Sequence, residues 1–196
     1  NKNNETFKNI NLKNNEKNIV IIGNAPFDKN KKLGNTINSF DKVVRFNNYE
    51  TDSYEDYIGN KTDIWGLSCF VYYSNKNLVY KKEKNCKEIL VFKPKVFVDR
   101  YPYKSINKSK LLIQDNDFKV DKKYDFGKKW PSTGILAIFY FLNHYNKVFI
   151  TGFNNFDLKN NNSIHYYESN KPLGHNSDIE RNIKNDLIQK GKVIKL

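Results

Sequence analysis

The segment NIVIIGNAPF, residues 18–27, is a continuous run of Ile and Val that leads into a Gly-Asn-Ala-Pro turn. An apolar run without polar alternation is typical of a strand that is buried on both faces of a parallel sheet. In open sheets of this kind, ligands bind beyond the carboxyl ends of the strands. The segment therefore predicts a central strand, and the loop that follows it, Gly23 to Pro26, is a candidate binding site.

The rest of the chain contains further apolar runs of strand length. We predict strands at 42–48, 62–68, 88–93, 147–151 and at the C-terminus. Stretches with helical spacing separate these runs. The alternation predicts an α/β fold with one Rossmann-like, mostly parallel sheet flanked by helices.

Helices are predicted from start signals, stop signals and apolar spacing. Short helices fit between the early strands, notably at 74–84, and an apolar helix is predicted to start at Pro131 and to run to about His144. A last helix ends at Gly191 and places three apolar residues four apart on one face, namely Ile179, Ile183 and Leu187.

The length and composition fit a single domain. The chain has 196 residues, 38% hydrophobic and 15% aromatic, which is enough to build a sizeable core. Residues 1–17 are mostly Asn and Lys with few apolar residues, so we expect a poorly ordered leader there and one domain at 18–196. No apolar run approaches the roughly 20 residues of a membrane span.

The net charge of +13 favours anionic partners, which include nucleic acid, an acidic membrane surface and a phosphorylated substrate. Arginine, the usual base-reading and phosphate-clamping residue, occurs only as Arg45, Arg100 and Arg181, and this argues against a nucleic-acid reader. Peripheral contact with an anionic membrane stays an option. The two cysteines, Cys69 and Cys86, form no CxxC motif and have no His nearby in sequence, so neither a disulfide framework nor a zinc site is predicted.

Two asparagines follow the first two strands. Gly23 permits close approach of the backbone to a phosphate, and the amide of Asn24 offers a donor and an acceptor to a nucleotide. Asn47 ends the second strand and would face the same pocket. On local grounds a strand-Gly-Asn turn is more often only a turn, and Asn47 could equally serve only to cap a turn.

Two further candidates lie toward the C-terminus. Pro131 to Gly134 stand at a helix start, where unpaired N–H groups and small hydroxyls make either an anion site or an ordinary N-cap. His165 and His175 lie within eleven residues of each other in polar segments, although an isolated loop histidine is more often structural than catalytic.

Taken in order, these segments resemble the sialylmotifs of the animal-type sialyltransferases, glycosyltransferase family 29. The stretch from VIIGNAPF through DKVVRFNN (20–48) resembles the long motif, and PSTGILAIFYFLNHYNKVFITGF (131–153) resembles the short motif. HYYE (165–168) is similar to the third motif, and His175 with Glu180 five residues later is similar to the very short motif. The resemblance runs from about residue 18 to the C-terminus, and four motifs in order are more specific than any one of them.

The resemblance implies the GT-A-like fold variant of sialyltransferases, and an inverting, metal-independent transfer of sialic acid from CMP-sialic acid to a hydroxyl of a glycan or glycolipid acceptor. His165 would contact the leaving phosphate, and His175 would be the general base. Glu180 would be a structural partner rather than a second base. The donor would be held by Gly23, Asn24, Ala25, Asn47, Ser132, Thr133 and Gly134.

Two departures from the family pattern have consequences. Neither the long nor the short motif contains the Cys that pairs them in secretory members, so we expect a cytoplasmic protein, with membrane association as an option. Ala25 stands where Ser is common, so one hydroxyl contact to the donor is missing.

Three alternatives stay open. Another CMP-activated acid sugar, such as CMP-Kdo, would use the same architecture. Asp115-Asn116-Asp117 resembles the DxD of metal-dependent nucleotide-sugar transferases, but a DND triplet in a polar loop is unremarkable in a chain this rich in Asp and Asn. A basic module that binds nucleic acid or acidic lipid would show strongly salt-dependent binding, yet it would leave the four ordered motifs unexplained.

Overall fold

The computed structural model describes residues 18–68, 86–93, 111–115, 124–126, 129–154, 166 and 177–196. Strands in these ranges form one seven-stranded sheet, and every pairing in it is parallel. The strands are β1 (Ile19–Ile22), β2 (Lys42–Phe46), β3 (Ile64–Ser68), β4 (Glu88–Lys93), β5 (Leu111–Asp115), β6 (Val148–Thr151) and β7 (Val193–Lys195). Their spatial order is β5-β4-β3-β2-β1-β6-β7, so the predicted α/β fold class is confirmed.

Helices within the described ranges cover both faces of this sheet. They are α1 (Gly34–Asn38), α2 (Glu55–Ile58), α3 (Thr133–Leu142) and α4 (Ser177–Gln189). None of these described helices is long and apolar enough to cross a membrane. The predicted leader at 1–17 and the predicted helix at 74–84 lie outside the described residues.

Strand β1 is buried on both faces, as its sequence predicts. Ile19 and Ile21 face the cluster that contains α3 and α4, whereas Val20 and Ile22 face the smaller cluster with α1 and α2. All four side chains are at most 2% exposed. Full burial of such a side chain contributes roughly 1.5–3 kcal/mol to stability. Strand β1 contributes to both clusters and therefore supports the loop after it rigidly.

The C-terminal helix also follows its sequence pattern. Ile183 and Leu187 are buried and Ile179 is partly buried against the same cluster. Gly191 has a φ of 66°, the left-handed conformation that glycine adopts after a helix end.

Two sequence-based expectations need correction. Asp115 is the last residue of β5 rather than part of a polar loop, because the short run LLI pairs with β4 as an edge strand, where polar residues are tolerated. Helix α3 begins at Thr133 rather than at Pro131, because the hydroxyl of Ser132 caps it by accepting from the N–H of Ile135 at 3.3 Å.

Candidate active site

The candidate site lies where the strand order reverses. Strand β1 has β2 as its neighbour on one side and β6 on the other. The connections that leave β1 and β6 therefore run in opposite directions. Such a switch point leaves a crevice at the carboxyl ends of the strands, and open α/β sheets bind ligands there. Gly23 and Gly152 begin the two loops that flank this crevice.

These two glycines bring their backbones into close contact. The N–H of Gly23 donates to Thr151 O at 2.8 Å, and the N–H of Ala25 donates to Gly152 O at 3.0 Å. A Cβ on Gly23 would lie 2.2 Å from Gly152 O, and a Cβ on Gly152, whose φ is 72°, would lie 2.3 Å from Gly23 O. Neither position therefore accepts a side chain. Sequence reasoning missed Gly152, although it follows a predicted strand directly, as Gly23 does.

Asn24 connects the first loop to two other motifs. Its Nδ2 donates to Phe46 O at 3.0 Å, at the end of β2. Its backbone carbonyl accepts from the N–H of Tyr166 at 3.0 Å. Tyr166 is the second residue of HYYE, so the long and third motifs meet at this loop.

Tyr166 is itself held firmly, although only its place within HYYE distinguishes it in the sequence. Its Oη accepts from the N–H of Glu50 at 2.9 Å and also bonds the carbonyl of Glu50. Its ring packs against Phe27 and Tyr54, with centroids 5.6 and 5.1 Å away. Burial raises the pKa of the Tyr166 phenol above its usual value, so the group stays a neutral hydrogen-bonding anchor.

Asn47 bridges the ends of β2 and β3. It adopts a left-handed conformation with φ 48°, which Asn tolerates better than most residues. Its Oδ1 accepts from the N–H of Ser68, and its backbone carbonyl accepts from Trp65 Nε1, both at 2.9 Å. Within the described part of the chain, its Nδ2 has no acceptor, so the residue caps a turn with one end of its amide and keeps a donor for a ligand.

Arg45, beside this motif, serves the fold instead. Its guanidinium is 1% exposed and donates to the carbonyls of Ile58, Gly59 and Lys61 at 2.7 to 3.0 Å. Burial lowers its pKa to about 10. The side chain therefore anchors the loop after α2 and is not accessible to a bound anion.

The start of α3 is clamped by Glu180 of α4. Glu180 Oε1 accepts from the N–H of Ser132 and Oε2 accepts from its Oγ, both at 2.7 Å. Glu180 is 3% and Ser132 8% exposed, so the clamp is shielded from water. The expected role of Glu180 as a structural partner agrees with this geometry. The hydroxyl of Ser132 therefore donates its proton to Glu180 and cannot donate it to a ligand.

The next two backbone N–H groups of α3 point to anion binding. Those of Thr133 and Gly134 have no acceptor among the described residues, as is normal in the first turn of a helix. Such unpaired N–H groups, together with the positive end of the helix dipole, favour a phosphate or carboxylate. Ser132 is an ordinary N-cap, and the anion site at Thr133 and Gly134 stays a prediction.

Phe153 fills the space between the first loop and α3. A Cβ on Gly134 would lie 2.5 Å from Cε1 of the Phe153 ring, and one on Gly23 would lie 3.1 Å from its Cδ2. The ring thus packs against both glycines, and only its place after Gly152 distinguishes Phe153 in the sequence.

Contacts link the first loop to the end of β2 through Asn24 and Phe46, and to the start of α3 through Phe153. The described candidates Gly23, Asn24, Ala25, Asn47, Ser132, Thr133 and Gly134 lie on these three segments. His165 and His175 lie outside the described residues, and α4 starts two residues after His175.

Known proteins share the sequence pattern and the fold of this chain. The family model of glycosyltransferase family 29 (sialyltransferase) matches residues 3–98 and 76–192. The type 2 lactosamine alpha-2,3-sialyltransferase of Mus musculus is 26% identical, over 92% of this chain and 65% of its own length. The lactosylceramide alpha-2,3-sialyltransferase of Homo sapiens is 25% identical, over 89% of this chain and 51% of its own length. The chain thus spans less than two thirds of these relatives.

Solved structures show the same fold. A crystal structure of a mammalian sialyltransferase superimposes with a TM-score of 0.66 at 22% identity, and covers 92% of this chain and 68% of the other. A mammalian sialyltransferase in complex with Gal-beta-1-3GalNAc-ortho-nitrophenol superimposes with a TM-score of 0.64 at 22% identity, over 92% of this chain and 69% of the other. The fold and the family model together confirm the resemblance, and the chain belongs to glycosyltransferase family 29 (sialyltransferase).

Proposed function

We propose that this chain transfers sialic acid from CMP-sialic acid to a hydroxyl of a glycan or glycolipid acceptor. The observation that carries the proposal is the meeting of three motifs at one switch-point crevice. The long motif reaches it through Asn24 and Asn47, the short motif through Thr133 and Gly134, and the third motif through Tyr166.

In this proposal the donor phosphate binds at the start of α3, where the N–H groups of Thr133 and Gly134 point out of the helix. The amides of Asn24 and Asn47 bind the ribose and phosphate. His165 contacts the phosphate of the leaving group. CMP carries one phosphate and therefore less charge than a nucleoside diphosphate, so these donors stabilise its departure without a metal ion.

The bond-forming step uses His175. The acceptor hydroxyl attacks the anomeric carbon in line with the departing CMP, so the configuration inverts. The neutral imidazole of His175 takes the hydroxyl proton. A neutral imidazole is an effective proton acceptor near neutral pH, which suits this role.

The DxD alternative has no support from the sheet order. Asp115 ends β5, which lies four strand positions from β1. At the usual strand spacing this is about 19 Å. A metal ion at this aspartate would therefore be far from the phosphate site that we propose.

Calorimetric titration with CMP and CMP-sialic acid tests the proposal. We expect donor binding that EDTA does not weaken, and transfer that His175→Ala abolishes while donor binding is retained. His144→Ala is the matched control, because His144 packs on Tyr140 at the far end of α3, and it should transfer normally. A folded protein that does not bind CMP, or turnover that requires added manganese, would refute the proposal.

Donor and acceptor are tested separately. CMP-Kdo in place of CMP-sialic acid distinguishes the nearest alternative donor. The relatives are named for alpha-2,3 transfer involving type 2 lactosamine and lactosylceramide, so a lactosamine glycan and lactosylceramide are the first acceptors to assay. Lactosylceramide in anionic vesicles also tests the expected membrane contact.

A further inference from the structure

A lysine is buried behind the candidate site. Lys184 lies on α4 one turn after Glu180 and is only 5% exposed. Its Nζ donates to the carbonyl oxygen of Phe153 at 3.0 Å and lies 5.5 Å from the centroid of the Phe153 ring. The ammonium group therefore contacts both the backbone carbonyl and the ring of Phe153, in the loop after β6.

Phe153 is the residue through which this contact reaches the site. Its ring packs against Gly23 of the first loop and Gly134 of α3. It also follows Gly152, whose carbonyl accepts from the N–H of Ala25. A shift of Phe153 would change the separation between the two loops.

The protein keeps this cation in an unfavourable environment. Burial lowers the pKa of Lys184 to about 8, and the positive charges of Lys195 on β7 and Arg181 on α4 act in the same direction. Glu180 opposes them. A buried charge is costly unless it is paired and hydrogen-bonded. The hydrogen bond to the Phe153 carbonyl and the attraction of Glu180 are the interactions that compensate this cost.

We propose that Lys184 is a positioning residue of the donor site. By holding the Phe153 carbonyl, it keeps the aromatic ring wedged between Gly23 and Gly134 and so fixes the distance between the first loop and the anion site of α3. The expected effect of Lys184 on donor binding rests on the proposed function. Its expected effect on the position of the loop after β6 is independent of that function.

Lys184→Met tests this role, since methionine has a similar length and no charge. We expect weaker CMP binding and a higher KM for CMP-sialic acid, both by roughly 3- to 30-fold, with kcat at saturating donor nearly unchanged. Lys184→Arg should restore part of the affinity, because guanidinium can also donate to the Phe153 carbonyl. Lys190→Met is the matched control on the same helix, since Lys190 is exposed and pairs with Asp186, and it should bind CMP normally.

Hydrogen exchange separates this inference from the proposed function. In Lys184→Met the N–H of Ala25, bonded to Gly152 O, should exchange faster, while α4 stays protected and urea unfolding shows a stable fold. Unchanged exchange at Ala25, unchanged CMP affinity, or a loss of kcat without a change in KM would overturn the role of Lys184. A wild-type protein that does not bind CMP would instead overturn the proposed function, and the exchange result would still decide whether Lys184 holds the loop.

Discussion

The clamp between Glu180 and Ser132 should contribute strongly to both stability and donor binding. Its two hydrogen bonds are 2.7 Å long, end on a carboxylate and are buried. In Glu180→Gln, the amide oxygen can still accept from the N–H of Ser132, but the amide NH₂ then faces Oγ, which already accepts from Ile135. The serine hydroxyl loses its acceptor, so we expect a loss of about 1–3 kcal/mol in unfolding free energy.

Ser132→Ala should cost about 1–2 kcal/mol, because it removes one bond of the clamp and the helix cap. In the double variant the introduced amide no longer faces a hydroxyl, because Ser132 has been replaced by Ala. The losses in unfolding free energy of the two single variants should therefore not add, and the coupling energy between the two positions should be about 1–2 kcal/mol. Urea unfolding of the four proteins measures it. A CMP titration of each reports whether the start of α3 has moved. A coupling energy below about 0.3 kcal/mol would show that the two side chains do not act as a unit.

The remaining predictions concern Gly152, Lys184 and Asp63. Gly152→Ala should lose at least about 2 kcal/mol of unfolding free energy, because its Cβ would lie 2.3 Å from Gly23 O at a φ of 72°; a loss below 1 kcal/mol in urea unfolding would contradict this. Because the pKa of Lys184 falls from 10.5 to about 8 on folding, the unfolded chain binds more protons between these values. Wild-type stability should therefore rise across that window by up to about 3 kcal/mol relative to Lys184→Met, and parallel pH profiles of the two proteins would contradict it. Asp63→Asn should lose about 1–3 kcal/mol by chemical denaturation, because the carboxylate is 2% exposed and pairs with Lys87 at 2.9 Å; an unchanged midpoint would refute this.

Local pattern was enough to predict the central part of the fold. The run at 19–22 has no polar residue and forms an interior strand of the sheet. The four-residue spacing of Ile179, Ile183 and Leu187 marks the buried face of α4. Strand β5 was missed because only three apolar residues support it and its pairing with β4 is a tertiary contact.

Charged residues beside an apolar stripe were harder to interpret. Glu180 and Lys184 each follow an apolar residue of α4 by one position, which places them at the border of the buried face. The spacing alone predicts solvated charges there, and only the packing of α4 against α3 and the loop after β6 makes them buried partners of Ser132 and Phe153. The sequence signal for Glu180 came from its distance to His175, whereas Lys184 had none.

Three polar residues of the candidate site, Asn24, Asn47 and Ser132, each form a side-chain hydrogen bond to a neighbouring element. Asn24 gives its Nδ2 to the end of β2, Asn47 gives its Oδ1 to β3, and Ser132 gives its hydroxyl proton to α4. These hydrogen bonds hold the side chains in place before any ligand binds, and such preorganisation lowers the entropy cost of binding. The same hydrogen bonds mean that a substitution in one motif displaces the others, so affinity and stability must be measured together before any of these residues is assigned a direct contact with the donor.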